Sequence, residues 1–236
     1  MDDADKWQAW AHEETSSLPG HEEPAAVSAM PPLLRRRAHA LGRAALEVLY
    51  APELAYTDQP IVFCSRYGET SRSAALLQAL ATEGKVSPQE FSMSVHNAIP
   101  GLFLIAKQCQ APVVSLSSEN QLMLSGMVEA LSQLANGASS VILLFCDAPL
   151  SMLFRSFFPD EPPCFAFALE MAAGNDYRLA HDDTASSMKT ASTLTSSSAL
   201  PLLRFVLDET QSVLPLTGTA DWQLLRLMPG SETGHA

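Results

Sequence analysis

Between Ser139 and Asp147 the chain reads SSVILLFCD, and the five residues Val141–Phe145 are apolar without interruption. A strand with one face in water alternates apolar and polar side chains. An unbroken run therefore belongs near the middle of a sheet whose two faces are both covered. Three further stretches carry strand signals: PIVFCS (60–65), PVVSLS (112–117) and CFAFALEM (164–171). Helical patterns separate most of them. That alternation predicts an α/β fold with a mainly parallel or mixed sheet wrapped by helices.

The helical signals have recognisable ends. MPPLLRRRAHALGRAALEVLY (30–50) opens on proline and places Leu34, Ala38, Leu41, Ala45 and Val48 on one face. Its basic cluster Arg35–Arg37 reads first as solvated surface, with a phosphate or partner contact as the other reading. TSRSAALLQALATEG (70–84) predicts a helix stopping at Gly84, and Ser87, Pro88 and Glu90 form a capping box for the next. NAIPGLFLIAKQ (97–108) predicts a short helix entered near Pro100. Ser118 and Gln121 cap another, with Leu124, Met127, Leu131 and Leu134 as its buried stripe and Asn136-Gly137 as its end.

The flanks differ in composition. Residues 1–30 carry Asp2, Asp3, Asp5, Glu13, Glu14, Glu22 and Glu23 against Lys6, and read as an acidic, partly ordered arm anchored by Trp7 and Trp10. From Ala172 to Ala199 the chain is rich in Ser, Thr and Ala, as in a linker or long loop, before a last helix (LPLLRFVLDET) and strand (WQLLRLM). The expected organisation is an arm at 1–30, a domain at 31–171 and a linker with a small appendage at 172–236.

With 236 residues, 47% hydrophobic and 17% charged, the chain suits one α/β domain. A net charge of −12 disfavours nucleic acid and anionic membranes. No apolar run reaches the roughly 20 residues that span a bilayer, and the acidic start is unlike a signal peptide, so a cytoplasmic location is expected. Cys64, Cys109, Cys146 and Cys164 show no CxxC spacing, and the six histidines form no HExxH. Neither disulfide, metal nor cofactor is expected.

One stretch points further. SVHNAIPGLFLIAKQCQAPVVSLSSENQLMLSG, continued by LANGASSVILLFCD, resembles the N-terminal half of a β-ketoacyl synthase, a thiolase-fold condensing enzyme. Such synthases carry an N-x-x-x-G helix, a turn with proline, a strand ending in T-A-C-S, a helix, a glycine and another strand. Asn97, Gly101, Pro112 and Gly137 fit without gaps. In that register Ser118 takes the threonine position, Glu119 the alanine position and Asn120 that of the catalytic cysteine. A helix N-terminus lowers a thiol's pKa and favours thiolate, but an amide cannot form a thioester. The two histidines of the synthase's second half have no counterpart here. FCSRYGETSRSAALLQAL, VSPQEFSMSVHNAIPGLF and CDAPL are similar to the short ketosynthase-like chain length factors of bacterial aryl polyene clusters.

The resemblance implies a single thiolase-like half-domain over about 31–171, without catalysis of its own. It implies pairing with an active ketosynthase, which condenses malonyl units onto an acyl chain held on acyl carrier protein. The edge strand 111–117, with Val113, Val114 and Ser115, would join the two sheets, and Tyr67, Ile99, Leu102 and Phe103 would face the product tunnel. Like charges place the carrier's docking on the partner. Two rivals remain. Cys64 could serve as an acyltransferase nucleophile beside Arg66 and His96, or the chain could be a homodimeric acyl-binding scaffold. A serine hydrolase is excluded for want of G-x-S-x-G.

Overall fold

The computed structural model describes residues 4–12, 18–19, 24–118, 120–154, 163–181, 199–216 and 222–227. Its centre is a four-stranded sheet in the order β2-β1-β3-β4, built from β1 (Ile61–Cys64), β2 (Val113–Leu116), β3 (Ser140–Asp147) and β4 (Phe165–Ala172). β1 runs parallel to β2 and β3, and β4 runs antiparallel to β3. The expected mixed sheet is present. The apolar run at 141–145 also finds its reason. Val141, Leu143 and Phe145 enter a core on one face, while Ile142, Leu144 and Cys146 enter a second core on the other.

Helices α3 (Ala40–Leu49) and α6 (Ala98–Lys107) cover the second face, and α7 (Leu122–Ala135) and α8 (Leu200–Leu207) cover the first. α1 (Ala4–His12) packs on α8; Trp10 is buried there, with Trp7 edge-on at 5.7 Å and the Arg204 guanidinium 4.6 Å above its ring. Val27 and Met30 are buried in the second core. The acidic segment thus contributes side chains to both cores, because its few large apolar residues find cover there.

Several boundaries differ from the sequence reading. The helix expected from residue 30 breaks into α2 (Pro32–Arg35) and α3, with His39 extended at φ −82° and ψ −171°. The break is held by the Arg72 guanidinium, which donates to the Arg37 carbonyl at 2.9 Å, and by Arg43, which donates to the Ala38 carbonyl. α4 (Thr70–Glu83) ends on Gly84 at φ +67° as expected. Ser87 caps α5 (Pro88–Ser92), but Glu90 turns to Arg72 instead of closing the capping box.

α7 buries Leu122, Gly126, Met127 and Ala130, whereas Leu131 is 39% exposed. Its inner face turns toward Gly126 because that position lies directly on Cys64: a Cβ there would stand 2.7 Å from the sulfur. The stretch read as a linker contains β5 (Tyr177–His181), which joins β6 (Val213–Pro215) and β7 (Trp222–Arg226) in an antiparallel sheet ordered β5-β7-β6. The rest of that stretch, 182–198, lies outside the described residues. Among the described residues no helix is long and apolar enough to cross a membrane, and no group of His, Cys, Asp or Glu is placed to hold a metal ion.

Candidate functional site

Parallel strands β2, β1 and β3 all end at one edge of the sheet, where an α/β fold gathers its functional loops. The organising group is Asp147, the last residue of β3 and only 1% exposed. Its Oδ1 accepts from the Ser65 hydroxyl (2.9 Å), the Arg66 amide (2.9 Å) and the Tyr67 amide (3.3 Å). Ser65 Oγ in turn accepts from the Gly68 amide at 2.8 Å. One carboxylate therefore shapes the turn between β1 and α4. Burial pushes its pKa up to about 6, against the hydrogen bonds from Ser65, Tyr67 and Arg66, which lower it.

The β2 end is stitched to the same turn. Ser117 donates to the Arg66 carbonyl at 2.7 Å, and His96 Nε2 donates to the Leu116 carbonyl at 2.9 Å. The His96 ring also meets Phe63 edge-on, at 5.4 Å between centroids. Its Nδ1 would lie 2.5 Å from a Cβ at position 68, and Gly68 adopts φ +52°, so only glycine suits this turn. His96 is a fastener between three segments.

The junction that matched the synthase cysteine sits beside these loops. Ser118 Oγ accepts from the Gln121 amide at 3.2 Å as expected of a cap, yet α7 begins at Leu122. Asn120 lies on an exposed bend two residues before the helix and not in its first turn. Glu119 lies outside the described residues.

The other expected site residues divide. Tyr67 is half-buried in the carboxyl-edge turn, with the Arg66 guanidinium 4.7 Å above its ring. Val113, Val114 and Ser115 are half-buried on β2, the outermost strand in the sheet order, in register with Ile61, Val62 and Phe63. The Ser115 hydroxyl is buried without a hydrogen-bond partner among the described residues. Ile99, Leu102 and Phe103 point instead into the core between α6 and the sheet, each 3% exposed or less.

Cys64 is fully buried against α7, and burial raises its thiol far above the ordinary value, with Asp147 and Glu129 adding to the shift. That environment opposes thiolate formation. With the folded chain at neutral pH, iodoacetamide is expected to leave Cys64 unmodified for as long as the fold persists, while exposed Cys164 reacts. Rapid alkylation of Cys64, read by peptide mass spectrometry, would restore the acyltransferase reading.

Sequence reasoning missed Asp147 and the buried Arg72 cluster. A signal for Asp147 existed: an acid closing an otherwise apolar buried strand. Arg72, 2% exposed, pairs with Glu69 at 3.2 Å and with Glu90, an arrangement that joins segments far apart in sequence.

Comparison with known proteins adds the family. The model described as beta-ketoacyl synthase, N-terminal domain, matches residues 7–223, wider than the 31–171 that the sequence motifs carried. Among solved structures, a chain of the complex of the ketosynthase ApeO with its chain length factor ApeC from Xenorhabdus doucetiae superposes with a TM-score of 0.77. It does so at 24% identity over 93% of this chain and 91% of that one. A chain of the ishigamide ketosynthase/chain length factor superposes at 0.52, with 14% identity over 70% and 55% of the two chains. At these identities the likeness is one of fold. A search of curated protein sequences returned no match.

Proposed function

This chain belongs to the family of β-ketoacyl synthase N-terminal domains, and from that premise we propose that it is a non-catalytic chain length factor. In this reading it pairs with an active ketosynthase in the cytoplasm and shapes the cavity for a growing acyl chain, as in type II polyketide or aryl polyene synthesis. The observation that carries the proposal is Asn120. In the register that the sequence resemblance implies it stands where a synthase has its cysteine, and it lies on an exposed bend ahead of α7. The two cysteines on the central strands are poor substitutes for it. Cys64 and Cys146 are wholly buried, and burial raises both.

The place of β2 at the end of the sheet order supports a partner as well. An outermost strand invites pairing, and on it lies the buried Ser115 hydroxyl, without a hydrogen-bond partner among the described residues. Tyr67 is the residue of this chain proposed to border the acyl cavity. Ile99, Leu102 and Phe103 belong to the core between α6 and the sheet.

The test is co-expression with an active ketosynthase of the chain-length-factor-dependent kind. The two chains are expected to co-elute and to elongate an acyl chain on carrier protein with malonyl units, while this chain alone acquires no acyl group. Covalent acylation of the isolated chain, followed by transfer to an acceptor, overturns the reading. A stable homodimer that ignores the ketosynthase would mark an acyl-binding scaffold instead.

A further inference from the structure

The far end of α7 borders a cleft that the candidate site does not share. Gly126 lets the helix lie directly on Cys64, and Leu131, one turn further on, stays partly exposed. Met127, Leu131 and Leu134 of α7, Met171 of β4, Leu179 of β5 and Leu224 of β7 line a space of about 370 Å³. Sites that take small ligands measure roughly 300–1,000 Å³. The topology fixes where this one lies. Met171 and Ala172 close β4, and Ala172 pairs with Ser140, the first residue of β3. The cleft is therefore at the amino edge of the parallel strands, at the opposite end of β3 from Asp147.

The lining carries charge at one place. Asp176 is the one charged group among the described residues that border the cleft, and its carboxylate makes no hydrogen bond or ion pair among the described residues. Its backbone carbonyl accepts from the Leu227 amide at 2.8 Å, which fixes the residue at the rim. The neighbouring cations are engaged or averted. Arg226 donates to the Tyr177 hydroxyl and the Gln211 carbonyl, each at 3.1 Å, and to the Phe205 carbonyl. Arg178 alternates along β5 onto the face opposite Tyr177 and Leu179. A carboxylate at the rim of an apolar hollow repels anions and attracts a cation whose remainder is hydrocarbon. Met127 and Met171 suit a flexible chain, since unbranched thioether side chains adapt to irregular shapes.

We propose that this cleft is a separate binding site for a single-chain cationic amphiphile of the alkylammonium class. Its aliphatic tail lies between α7 and the second sheet, and its ammonium head stands at Asp176. Charge complementarity selects this occupant, because a fatty carboxylate of the same length meets the Asp176 carboxylate with like charge. The site is at the opposite edge of the sheet from the proposed acyl cavity. Binding here needs no ketosynthase and is independent of the proposed function.

The probes are decyltrimethylammonium, decanoate and tetramethylammonium, each titrated into the full chain below any micelle-forming concentration and followed by calorimetry. Wild type is expected to bind one decyltrimethylammonium per chain, with the negative heat-capacity change of apolar burial. An exposed ion pair changes affinity a few-fold, and exchanging attraction for repulsion compounds the effect. Decanoate should therefore bind about tenfold more weakly at low salt. Tetramethylammonium, a head without a tail, should bind more weakly still. Asp176→Asn should bring the two decyl probes within about threefold of each other. Ala135→Trp, at an exposed position on the rim, should weaken both by roughly tenfold or more by filling the cleft. Leu131→Asp is the second block, and melting curves verify that each variant is folded. Decanoate binding as tightly as the cation in wild type overturns the site, as does tetramethylammonium binding as tightly as the decyl cation. Unchanged affinity in the folded blocking variants, or many equivalents bound per chain, overturns it as well. A wild-type dimer that Leu131→Asp dissociates would give the cleft to a second copy of the chain, and likewise overturns it.

Discussion

Phe103→Ala is expected to destabilise the chain by about 3–5 kcal/mol, the usual cost of removing a buried phenyl group together with the cavity it leaves. The ring is 0% exposed and meets Tyr56 and Tyr50 edge-on at 4.9 and 5.2 Å between centroids. Lys107 Nζ stands 4.7 Å from the Tyr50 ring and closes the outside of the stack. Folded domains retain only about 5–15 kcal/mol of net stability, so the loss should lower the melting temperature by roughly 10 °C or more. The measurement separates two roles for the residue. A tunnel-lining phenyl would change product length and leave the melting temperature nearly unaltered. A core phenyl does the reverse, and Phe103→Leu should recover most of the stability. Tyr67→Ala, at the half-exposed carboxyl edge, is the matching control: its effect should fall on product length first. A melting temperature unchanged in Phe103→Ala would remove Phe103 from the core.

The difference between Phe103 and Tyr67 shows what a sequence can convey. Apolar spacing announces that Ile99, Leu102 and Phe103 share a face, and they do. It does not say whether that face meets the protein's own sheet or a cavity, because both environments ask for the same side chains. Local signals behaved differently. The unbroken run at 141–145, the Gly84 stop and the Ser87 cap are decided within a few residues, and each appears where the pattern put it. β5 was hidden because YRLAH is short and its partner, Trp222–Arg226, lies some forty-five residues later. The break before α3 depends on Arg72 reaching back to Arg37, and the start of α7 lies four residues beyond the Ser118 cap signal. The candidate site follows the same rule. The proposed register, with Asn120 in place of a cysteine, is linear information. The network on Asp147, which spans eighty residues of chain, is not.

That network makes Asp147→Asn the second informative variant. A carboxyl titrating near neutrality in a cleft often marks acid–base chemistry. Here its Oδ1 is already occupied by three donors of its own chain, so the raised pKa reports burial. The sign follows from proton linkage. A folded-state pKa of about 6 against an ordinary 3.8 means that the native protein binds the proton more tightly than the unfolded chain. This group's contribution is fully present below pH 3.8 and is lost as pH rises through about 6. A shift of this size corresponds to roughly 3 kcal/mol between those limits.

Asparagine cannot ionise, yet its Oδ1 can accept the same three bonds. The stability of Asp147→Asn minus that of wild type should therefore rise between pH 4 and 6.5 and stay level above it, leaving the variant at least as stable at pH 7. Taking the difference cancels the remaining acids, which titrate in both proteins. Asp147→Ala supplies the opposite case: the Ser65 hydroxyl and two buried amides lose their acceptor, at about 1–3 kcal/mol for each group left unsatisfied. Denaturant titrations across pH would measure all three proteins. A flat difference curve, or Asp147→Asn as unstable at pH 7 as Asp147→Ala, would show that the ionised carboxylate itself holds the turn. The Ser65–Gly68 segment would then depend on a charge where the geometry asks only for an acceptor.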